Sequence, residues 1–426
     1  MNRNKIISEF VDNIDDNYVE SNQKWKHPLV KSTIISKKDK VEAIDSILST
    51  YITMGTKVKN FETKFSKYIN VKYGIMLNSG SSANLLIMFL LKYLNSNDIY
   101  FDNSKTEIII PAFTWSTSLF PIVQAGFKPV FVDVDINNFN LDSELVKKAI
   151  TKNTCAIMVV HLLGYPCDMT EITKIAKSNN LIIIEDCCEA HGALWDNKKV
   201  GSFGDFSSFS FFFSHHITTG EGGLIATNND YYSDFLRSLR AHGWVREMSQ
   251  YDQLSKKYPS IDKRFLFYNP GFNLRPTDIV AALGLNQIDK LDEIVKCRRA
   301  NHFYWKNGLS EFEELISTID DPERGHISPF VFPIIIKDSK KLNRNKFQKY
   351  LENQGIETRT VASGNLLNQP FAQRFTKFEK RFDLNNSDYL MYNSFFWGNS
   401  HTVSESERNY VLDCTKNYLN KVINKS

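Results

Sequence analysis

The chain has 426 residues, of which 42% are hydrophobic and 23% charged, a composition typical of a folded globular protein. Its 52 Lys and Arg against 48 Asp and Glu leave a formal charge of +4, too small a surplus to indicate nucleic-acid binding. The longest apolar runs, residues 85–91 and 209–213, are far shorter than the roughly 20 residues of a membrane-spanning helix, and the polar residues 1–10 lack the apolar segment of a signal peptide. Membrane, fibrous and secreted small-domain proteins are therefore excluded, and a cytoplasmic enzyme is favoured.

From about residue 74 onward, short β-branched runs alternate with helical stretches. Strands are predicted at residues 108–110, 129–134, 156–160, 181–184, 206–213 and 223–227. Helices are predicted at residues 82–93, 143–150, 170–178 and 228–239. The continuous Val and Ile runs are typical of strands covered on both faces, so the pattern predicts an α/β domain with a mostly parallel central sheet. In such a sheet, ligands bind at the carboxyl ends of the strands.

The C-terminal part alternates less regularly. A long helix is predicted at residues 277–301, a strand at 331–336, and helices at 341–354 and 405–422. We therefore predict three parts: a polar N-terminal arm (residues 1–41), a large cofactor-binding domain (42–301) and a smaller α/β domain (302–426).

Six cysteines are scattered along the chain, and no CxxC pair occurs. Six cysteines in a chain of this length do not indicate a disulfide framework. We expect all six to be small buried side chains, and we expect no metal site.

Two loops next to predicted strands have residue types suited to binding a phosphorylated ring. Residues 78–83 (NSGSSA) open the first long helix, where free N–H groups and a Gly favour an anion; a simple Ser N-cap is the alternative. Trp115, within residues 111–116 (PAFTWS), follows a strand and is placed to stack on a planar ring. A core aromatic is the alternative for this tryptophan.

Two further loops follow predicted strands. Asp186, in residues 185–192 (EDCCEAHG), ends an apolar run, where a carboxylate needs a cation or donors; capping of the next turn is the alternative. Residues 210–223 (SFFFSHHITTGEGG) contain His215 and His216. Adjacent residues of an extended chain point to opposite faces, so we expect at most one of them to face a given ligand. Further ligands at metal-binding spacing do not occur in this stretch.

In this order, these motifs and residues 271–278 (GFNLRPTD) resemble the nucleotide-sugar aminotransferase (DegT/DnrJ/EryC1/StrS) family. The resemblance runs from about residue 50 to the C-terminus. It implies the fold-type I aminotransferase fold and the cofactor pyridoxal 5'-phosphate (PLP). One position departs from the pattern: where family aminotransferases carry the Lys that binds the cofactor as an imine, this chain has His215. No Lys occurs between Lys199 and Lys256, and imidazole forms no stable imine.

A histidine at this position resembles the subset of the family that removes a sugar hydroxyl, the 4-keto-6-deoxyhexose 3-dehydratases. One kind of these enzymes carries a [2Fe–2S] cluster on cysteines and receives electrons from a reductase. No Cys lies between Cys188 and Cys297, where that kind has closely spaced ones, so the cluster-free kind is favoured. Glu189 adds support, because family aminotransferases generally carry Gln there.

The resemblance implies how the cofactor phosphate is held. Gly80, Ser81 and Ser82 provide the helix N-terminus, and the Ser210 hydroxyl lies nearby. Asn273 reaches the phosphate from the other subunit of a homodimer.

The resemblance also implies the chemistry around the cofactor ring. Asp186 pairs with the pyridinium nitrogen, Trp115 stacks on the ring, and Glu189 lies near the phenolic oxygen. The amine form, pyridoxamine 5'-phosphate, condenses with the C4 ketone of a nucleotide-linked 4-keto-6-deoxyhexose. His215 is the catalytic acid–base residue for loss of the C3 hydroxyl, and L-glutamate restores the amine.

Three alternatives remain open from the sequence. The first is a nucleotide-sugar aminotransferase, the second is a cluster-containing dehydratase with a reductase partner, and the third is a homologue without catalytic activity. The nucleotide, whether GDP, CDP or dTDP, the hexose configuration and the role of His216 are also left open.

Overall fold

A computed structural model describes residues 3–13, 24–31, 34–97, 106–374 and 378–424. The strands are β1 (Tyr73–Leu77), β2 (Glu107–Pro111), β3 (Lys128–Val132), β4 (Thr154–Val160), β5 (Ile182–Asp186), β6 (Leu194–Trp195), β7 (Lys198–Lys199), β8 (Phe206–Ser210), β9 (Gly223–Thr227), β10 (Ile316–Ser317), β11 (Gly325–His326), β12 (Val331–Ile336), β13 (Thr358–Arg359) and β14 (Ser394–Gly398). The helices are α1 (Arg3–Asp12), α2 (Lys37–Leu48), α3 (Thr56–Ile69), α4 (Gly80–Asn97), α5 (Ser116–Gln124), α6 (Ser143–Ala149), α7 (Met169–Asn179), α8 (Asp230–Arg240), α9 (Tyr251–Lys257), α10 (Asp278–Leu285), α11 (Leu291–Gly308), α12 (Arg344–Asn353), α13 (Pro370–Arg374), α14 (Asn385–Asn393) and α15 (Glu405–Ile423).

The main sheet has the strand order β1-β9-β8-β5-β4-β2-β3. β9 pairs antiparallel with β1 and β8, and the other pairs are parallel. Every strand except β9 therefore runs in the same direction, which confirms the predicted mostly parallel sheet.

Both faces of this sheet are covered, as the continuous apolar runs predict. Ile108 and Ile110 of β2 belong to the apolar cluster that contains the buried side chains of α4. Ile109 points the other way and packs with Ile172 and Ile175 of α7. A third cluster joins β8 and β9 to α3 and α10. The carboxyl ends of β1, β2, β5 and β8 consequently lie along one edge, and the four loops identified in the sequence follow them.

The helix predicted at residues 277–301 is two helices, so this prediction is wrong. α10 ends at Leu285, and α11 begins at Leu291 after a short 3-10 turn. Gln287 lies in the break, where its side chain accepts the Thr218 N–H at 2.9 Å and donates to the Thr218 carbonyl at 2.8 Å. The side chain of Gln287 is therefore bound to a distant loop, at the point where the predicted continuous helix is interrupted.

The C-terminal part is built on the antiparallel sheet β10-β12-β14-β13. Trp305 of α11 packs on Phe332 and Trp397 of this sheet, and α12 and α15 complete the cluster. The predicted domain boundaries at residues 41 and 301 remain a prediction; α2 and α11 run across them. None of the helices in the described ranges is long and apolar enough to cross a membrane.

Candidate active site

The loop after β1 packs tightly against two neighbouring strands. A Cβ atom on Gly80 would lie 2.6 Å from the Cβ atom of Ser210, and one on Gly223 would lie 2.5 Å from the Gly80 nitrogen. Such close approaches of backbone require glycine. Because the first N–H groups of a helix have no partner within it, the start of α4 is suited to hold an anion such as a phosphate.

The predicted serines lie around this helix end. Ser79 caps α4, since its Oγ accepts the Ser82 N–H at 3.1 Å; the N-cap alternative thus also applies to this motif. Ser81 Oγ donates to Thr117 Oγ1 at 2.9 Å. Ser210 is the buried last residue of β8.

Asp186, at the end of β5, is a buried carboxylate held by neutral donors. Asn84 Nδ2 and Ser118 Oγ each lie 2.9 Å from Oδ2, and the Cys188 N–H donates to Oδ1 at 3.2 Å. Among the described residues, no Lys, Arg or His forms an ion pair with it. A cation would therefore stabilise it further, and a protonated pyridine nitrogen fits this need.

Asn84 and Ser118 are not among the residues predicted from the sequence. They are one turn into α4 and α5, and nothing in their local sequence distinguishes them from ordinary helix residues. Only the packing of both helices against the end of β5 brings them to Asp186.

Trp115 and Glu189 border the same edge of the sheet. Trp115 precedes α5 and is 54% exposed, so the core-aromatic alternative is wrong and its ring has room for a partner. Glu189 is partly buried and its Oε2 accepts the Leu163 N–H at 2.8 Å. Burial, with a smaller contribution from the charge of Asp186, raises the pKa of Glu189 to about 7. Its carboxyl group can therefore accept or donate a hydrogen bond near neutral pH.

His215 lies in the turn that follows β8. Its N–H donates to the Phe212 carbonyl at 3.0 Å, and its ring centre lies 5.1 Å from that of Phe330 and 5.9 Å from that of His191. Its Nδ1 is buried and has no hydrogen-bond partner among the described residues. Burial, and then the charge of Arg298, lowers the pKa of His215 to about 3. The imidazole is therefore neutral at physiological pH.

The strand predicted at residues 206–213 ends at Ser210, and this changes the placement of the two histidines. Because the chain turns after the strand, the rings of His215 and His216 both lie near Phe330. The segment is therefore not extended as assumed, and the expectation that at most one of them faces a given ligand stays a prediction. They still differ in their partners: His216 Nε2 lies 3.1 Å from the carbonyl oxygen and 2.9 Å from the hydroxyl of Ser328. His216 thus has a local structural role.

Asn273 belongs to a segment next to the loop that opens α4, since the carbonyl of the adjacent Leu274 accepts the Asn78 N–H at 3.1 Å. It is exposed, and its Oδ1 accepts from Arg275 Nε at 3.0 Å. Within the part of the chain that the structure describes, no hydrogen bond joins its side chain to the loops above.

His161, Glu185 and Cys187 have potential ligand atoms within 4.8 Å of one another. The carboxylate is already occupied by His161 Nε2 at 3.1 Å and by three backbone N–H groups, those of Gly201, Phe203 and Gly204. This trio is therefore explained as a buried structural network.

The expectation that all six cysteines are buried is wrong for Cys188 and Cys297, which are partly exposed. Cys188 lies in the turn beside Gly80, and Cys297 lies near Glu293 on the outer side of α11.

The assembled loops combine an anion-binding helix end, a buried carboxylate without a cation, an exposed indole and a neutral imidazole. These features fit a phosphorylated planar ring with a protonated nitrogen, which describes PLP. The fold and the site together define the class of fold-type I enzymes that use this cofactor.

Residues 34–416 match the DegT/DnrJ/EryC1/StrS aminotransferase family, and the chain belongs to this family. It is 36% identical over 393 residues to GDP-4-keto-6-deoxy-D-mannose 3-dehydratase of Escherichia coli O55:H7 (strain CB9615 / EPEC), covering 92% of this chain and 99% of that relative. The family and fold predicted from the sequence are thus confirmed.

Two solved structures are similar over nearly the whole chain. The E. coli GDP-4-keto-6-deoxy-D-mannose-3-dehydratase with bound hydrated PLP has a TM-score of 0.83 and 33% identity, covering 92% of this chain and 99% of that one. A GDP-4-keto-6-deoxymannose-3-dehydratase with a trapped PLP-glutamate geminal diamine has a TM-score of 0.83 and 34% identity, covering 92% of this chain and 100% of that one.

Proposed function

We propose that this protein is a PLP-dependent 3-dehydratase of a nucleotide-linked 4-keto-6-deoxyhexose, with GDP as the nucleotide. The observation that carries the proposal is the neutral, partly buried imidazole of His215 at the position where aminotransferases of the family have lysine. The choice of GDP follows the names of the similar enzymes. The reaction removes the C3 hydroxyl as water, keeps the C4 ketone and yields a 4-keto-3,6-dideoxy sugar.

The reaction is a two-electron reduction of the sugar, so a reductant is required. L-Glutamate supplies the two electrons and leaves as 2-oxoglutarate and ammonia, which balances the replacement of C3–OH by C3–H. The bound cofactor supplies an amine that condenses with the ketone and a ring that accepts electrons.

His215 moves the protons. Because Nδ1 is buried, we assign proton uptake and return to Nε2, with the C3 oxygen as the final acceptor. Asp186 would hold the ring nitrogen in its protonated form, and Trp115 would cover one ring face. Glu189 would accept or donate a hydrogen bond at the phenolic oxygen.

Binding of the phosphate is assigned to both subunits of a homodimer. Gly80, Ser81, Ser82 and Ser210 belong to one subunit, and Asn273 reaches over from its partner. This assignment explains why the Asn273 side chain is exposed and, among the described residues, forms no hydrogen bond with another site residue. We propose a cytoplasmic location for the enzyme, together with its nucleotide-sugar substrate.

The first test is incubation of the purified protein with PLP, L-glutamate and the GDP-, CDP- and dTDP-linked 4-keto-6-deoxyhexoses. We expect a product one oxygen atom lighter by mass spectrometry, with 2-oxoglutarate and ammonia formed in equal amounts. Omission of glutamate is the control and should limit the reaction to a single turnover at most.

Other outcomes identify the alternatives. A product with an amine in place of the ketone, and no free ammonia, would mean an aminotransferase and would overturn the proposal. Dehydration that requires a reductase and bound iron would mean the cluster-containing kind. Absence of any reaction with all the sugars would favour a non-catalytic homologue.

A further inference from the structure

Arg298 is a buried cation without a carboxylate partner. It lies on α11 and is 3% exposed. Its guanidinium donates to three backbone oxygens, those of His215 (3.3 Å), Phe330 (2.8 Å) and Asn399, and its Nε is buried with no hydrogen-bond partner. Burial lowers its pKa to about 9. In the described ranges, no Asp or Glu pairs with it.

Other arginines of the same molecule are neutralised. Arg299, the next residue, binds both carboxylate oxygens of Asp321 at 2.7 Å. Arg240 is equally buried and pairs with Glu62 at 2.6 Å. An uncompensated buried charge is costly, so Arg298 is energetically unusual within this chain.

The three oxygens that Arg298 binds belong to three separate segments. His215 lies in the turn after β8, Phe330 directly precedes β12, and Asn399 directly follows β14. Asn399 returns a hydrogen bond from Nδ2 to the Arg298 carbonyl at 3.0 Å. One side chain thereby ties the turn of the candidate base to the C-terminal antiparallel sheet.

The charge of Arg298 acts on a group of histidines. In each of them burial lowers the pKa first, and the positive charge of Arg298 lowers it further. The group consists of His191, His215, His216 and His401. The charge of Lys290 also contributes at His401. A positive charge beside an imidazole disfavours the imidazolium, so all four are held in the neutral form.

We propose that Arg298 is a positioning residue for the 3-dehydratase reaction: its planar guanidinium group holds the backbone of His215 in place by binding it to the two segments that flank the C-terminal sheet. This inference rests on the proposed function, because it assigns His215 the role of base. It adds a residue from a distant helix. Arg298 acts on His215 only through a hydrogen bond to the His215 backbone carbonyl and through the electric field of its own charge.

The test uses three variants of the full-length holoenzyme with isotope-labelled histidine rings. Arg298→Gln removes both the positive charge and the planar guanidinium group. Arg298→Lys keeps the charge but not the guanidinium group, and Arg299→Gln is the matched control. The imidazole titration is followed by NMR, with the His215 signal assigned from its loss in His215→Asn. In the unsubstituted enzyme we expect His215 to stay neutral down to about pH 5.

In Arg298→Gln, the midpoint for His215 should rise by about one pH unit or more, and kcat should fall at least about tenfold with KM for the sugar little changed. Arg298→Lys should keep the His215 midpoint within about half a pH unit. Its kcat should fall, because an ammonium group cannot bind three carbonyl groups as the planar guanidinium group does. Arg299→Gln should change neither quantity.

An Arg298→Gln midpoint that equals that of Arg299→Gln would show that Arg298 does not act on His215 and would overturn the proposal. Full kcat in Arg298→Lys would also overturn it. If Arg298→Gln does not fold, Arg298→Lys still decides the proposal through its kcat. The titration does not depend on turnover, so a failure of the proposed dehydratase activity is recognised separately, as an absence of product with the unsubstituted enzyme.

Discussion

His215 and a lysine at the same position would perform different chemistry in the same pocket. A lysine amine competes for the aldehyde of the cofactor, whereas an imidazole only exchanges protons. Burial and the charge of Arg298 hold the pKa of His215 at about 3. The imidazole of His215 is therefore neutral over the whole physiological range.

For His215→Lys we expect loss of 3-dehydration by at least about 100-fold, together with covalent retention of PLP. Borohydride reduction followed by mass spectrometry of the intact protein measures the covalent adduct. His215→Asn is the control, since it should lose dehydration and trap no cofactor. Dehydration within about twofold of the original rate in His215→Lys would contradict the assigned role.

At the scale of elements, residues 24–31 form a strap on the C-terminal sheet. His27 is buried, with its ring nitrogens 3.0 Å from Glu407 Oε1 and 2.8 Å from the Gly398 carbonyl. Lys31 contacts the same carboxylate. Burial raises the pKa of Glu407, but the hydrogen bonds from His27 and Lys31 outweigh this effect and lower the pKa to about 2. The strap is thus tied to the start of α15 by an ionised carboxylate.

A carboxyl group whose pKa is lower in the folded state than in the unfolded state stabilises the folded state at pH values above the unfolded pKa of about 4.5. This stabilisation is lost as the pH falls toward 2. Glu407→Gln should therefore lower the free energy of unfolding by about 2 kcal/mol at pH 7, and the difference should narrow between about pH 4.5 and 2. Urea unfolding at several pH values measures it. Gln preserves the capping-box hydrogen bond with Ser404, and exposed Glu405→Gln is the control. Equal stability of the two variants at pH 7 would refute this account.

At the scale of the whole molecule, the face around Asn273 has the character of a subunit interface. Tyr51 and Phe267 are 61% and 51% exposed. Trp244 stacks on Phe267 at 5.9 Å and lines a cavity of about 180 Å³ with Tyr51 and Arg275. Exposed aromatic residues beside a predicted site residue support the homodimer in which each subunit completes the site of the other.

Subunit complementation tests this arrangement. His215→Asn and Asn273→Ala homodimers should each lose most activity. In a mixed dimer one site contains both substitutions and the other contains neither, so random reassociation should restore about a quarter of the original activity. Each variant reassociated with itself is the control. No recovery in dimers shown to be mixed would place Asn273 in its own subunit's site.

The parallel sheet, the order of its strands along the chain and the loops that follow them could be predicted from the sequence alone. These features depend on local patterns: β-branched runs, helical spacing, and Gly and Ser before an apolar helix.

The surroundings of the reactive groups depend on tertiary packing and could not be predicted from the sequence. Asn84, Ser118 and Asp186 are far apart in the chain, and the packing of α4 and α5 on β5 makes them neighbours. His215 and His216 lie near one aromatic ring because the chain turns after Ser210. The aromatic residues 211–213 predicted that the strand continues and gave no indication of this turn. Arg298 is one of two adjacent arginines, and burial without a carboxylate is a property of its three-dimensional surroundings. No pattern along the chain distinguishes it from Arg299.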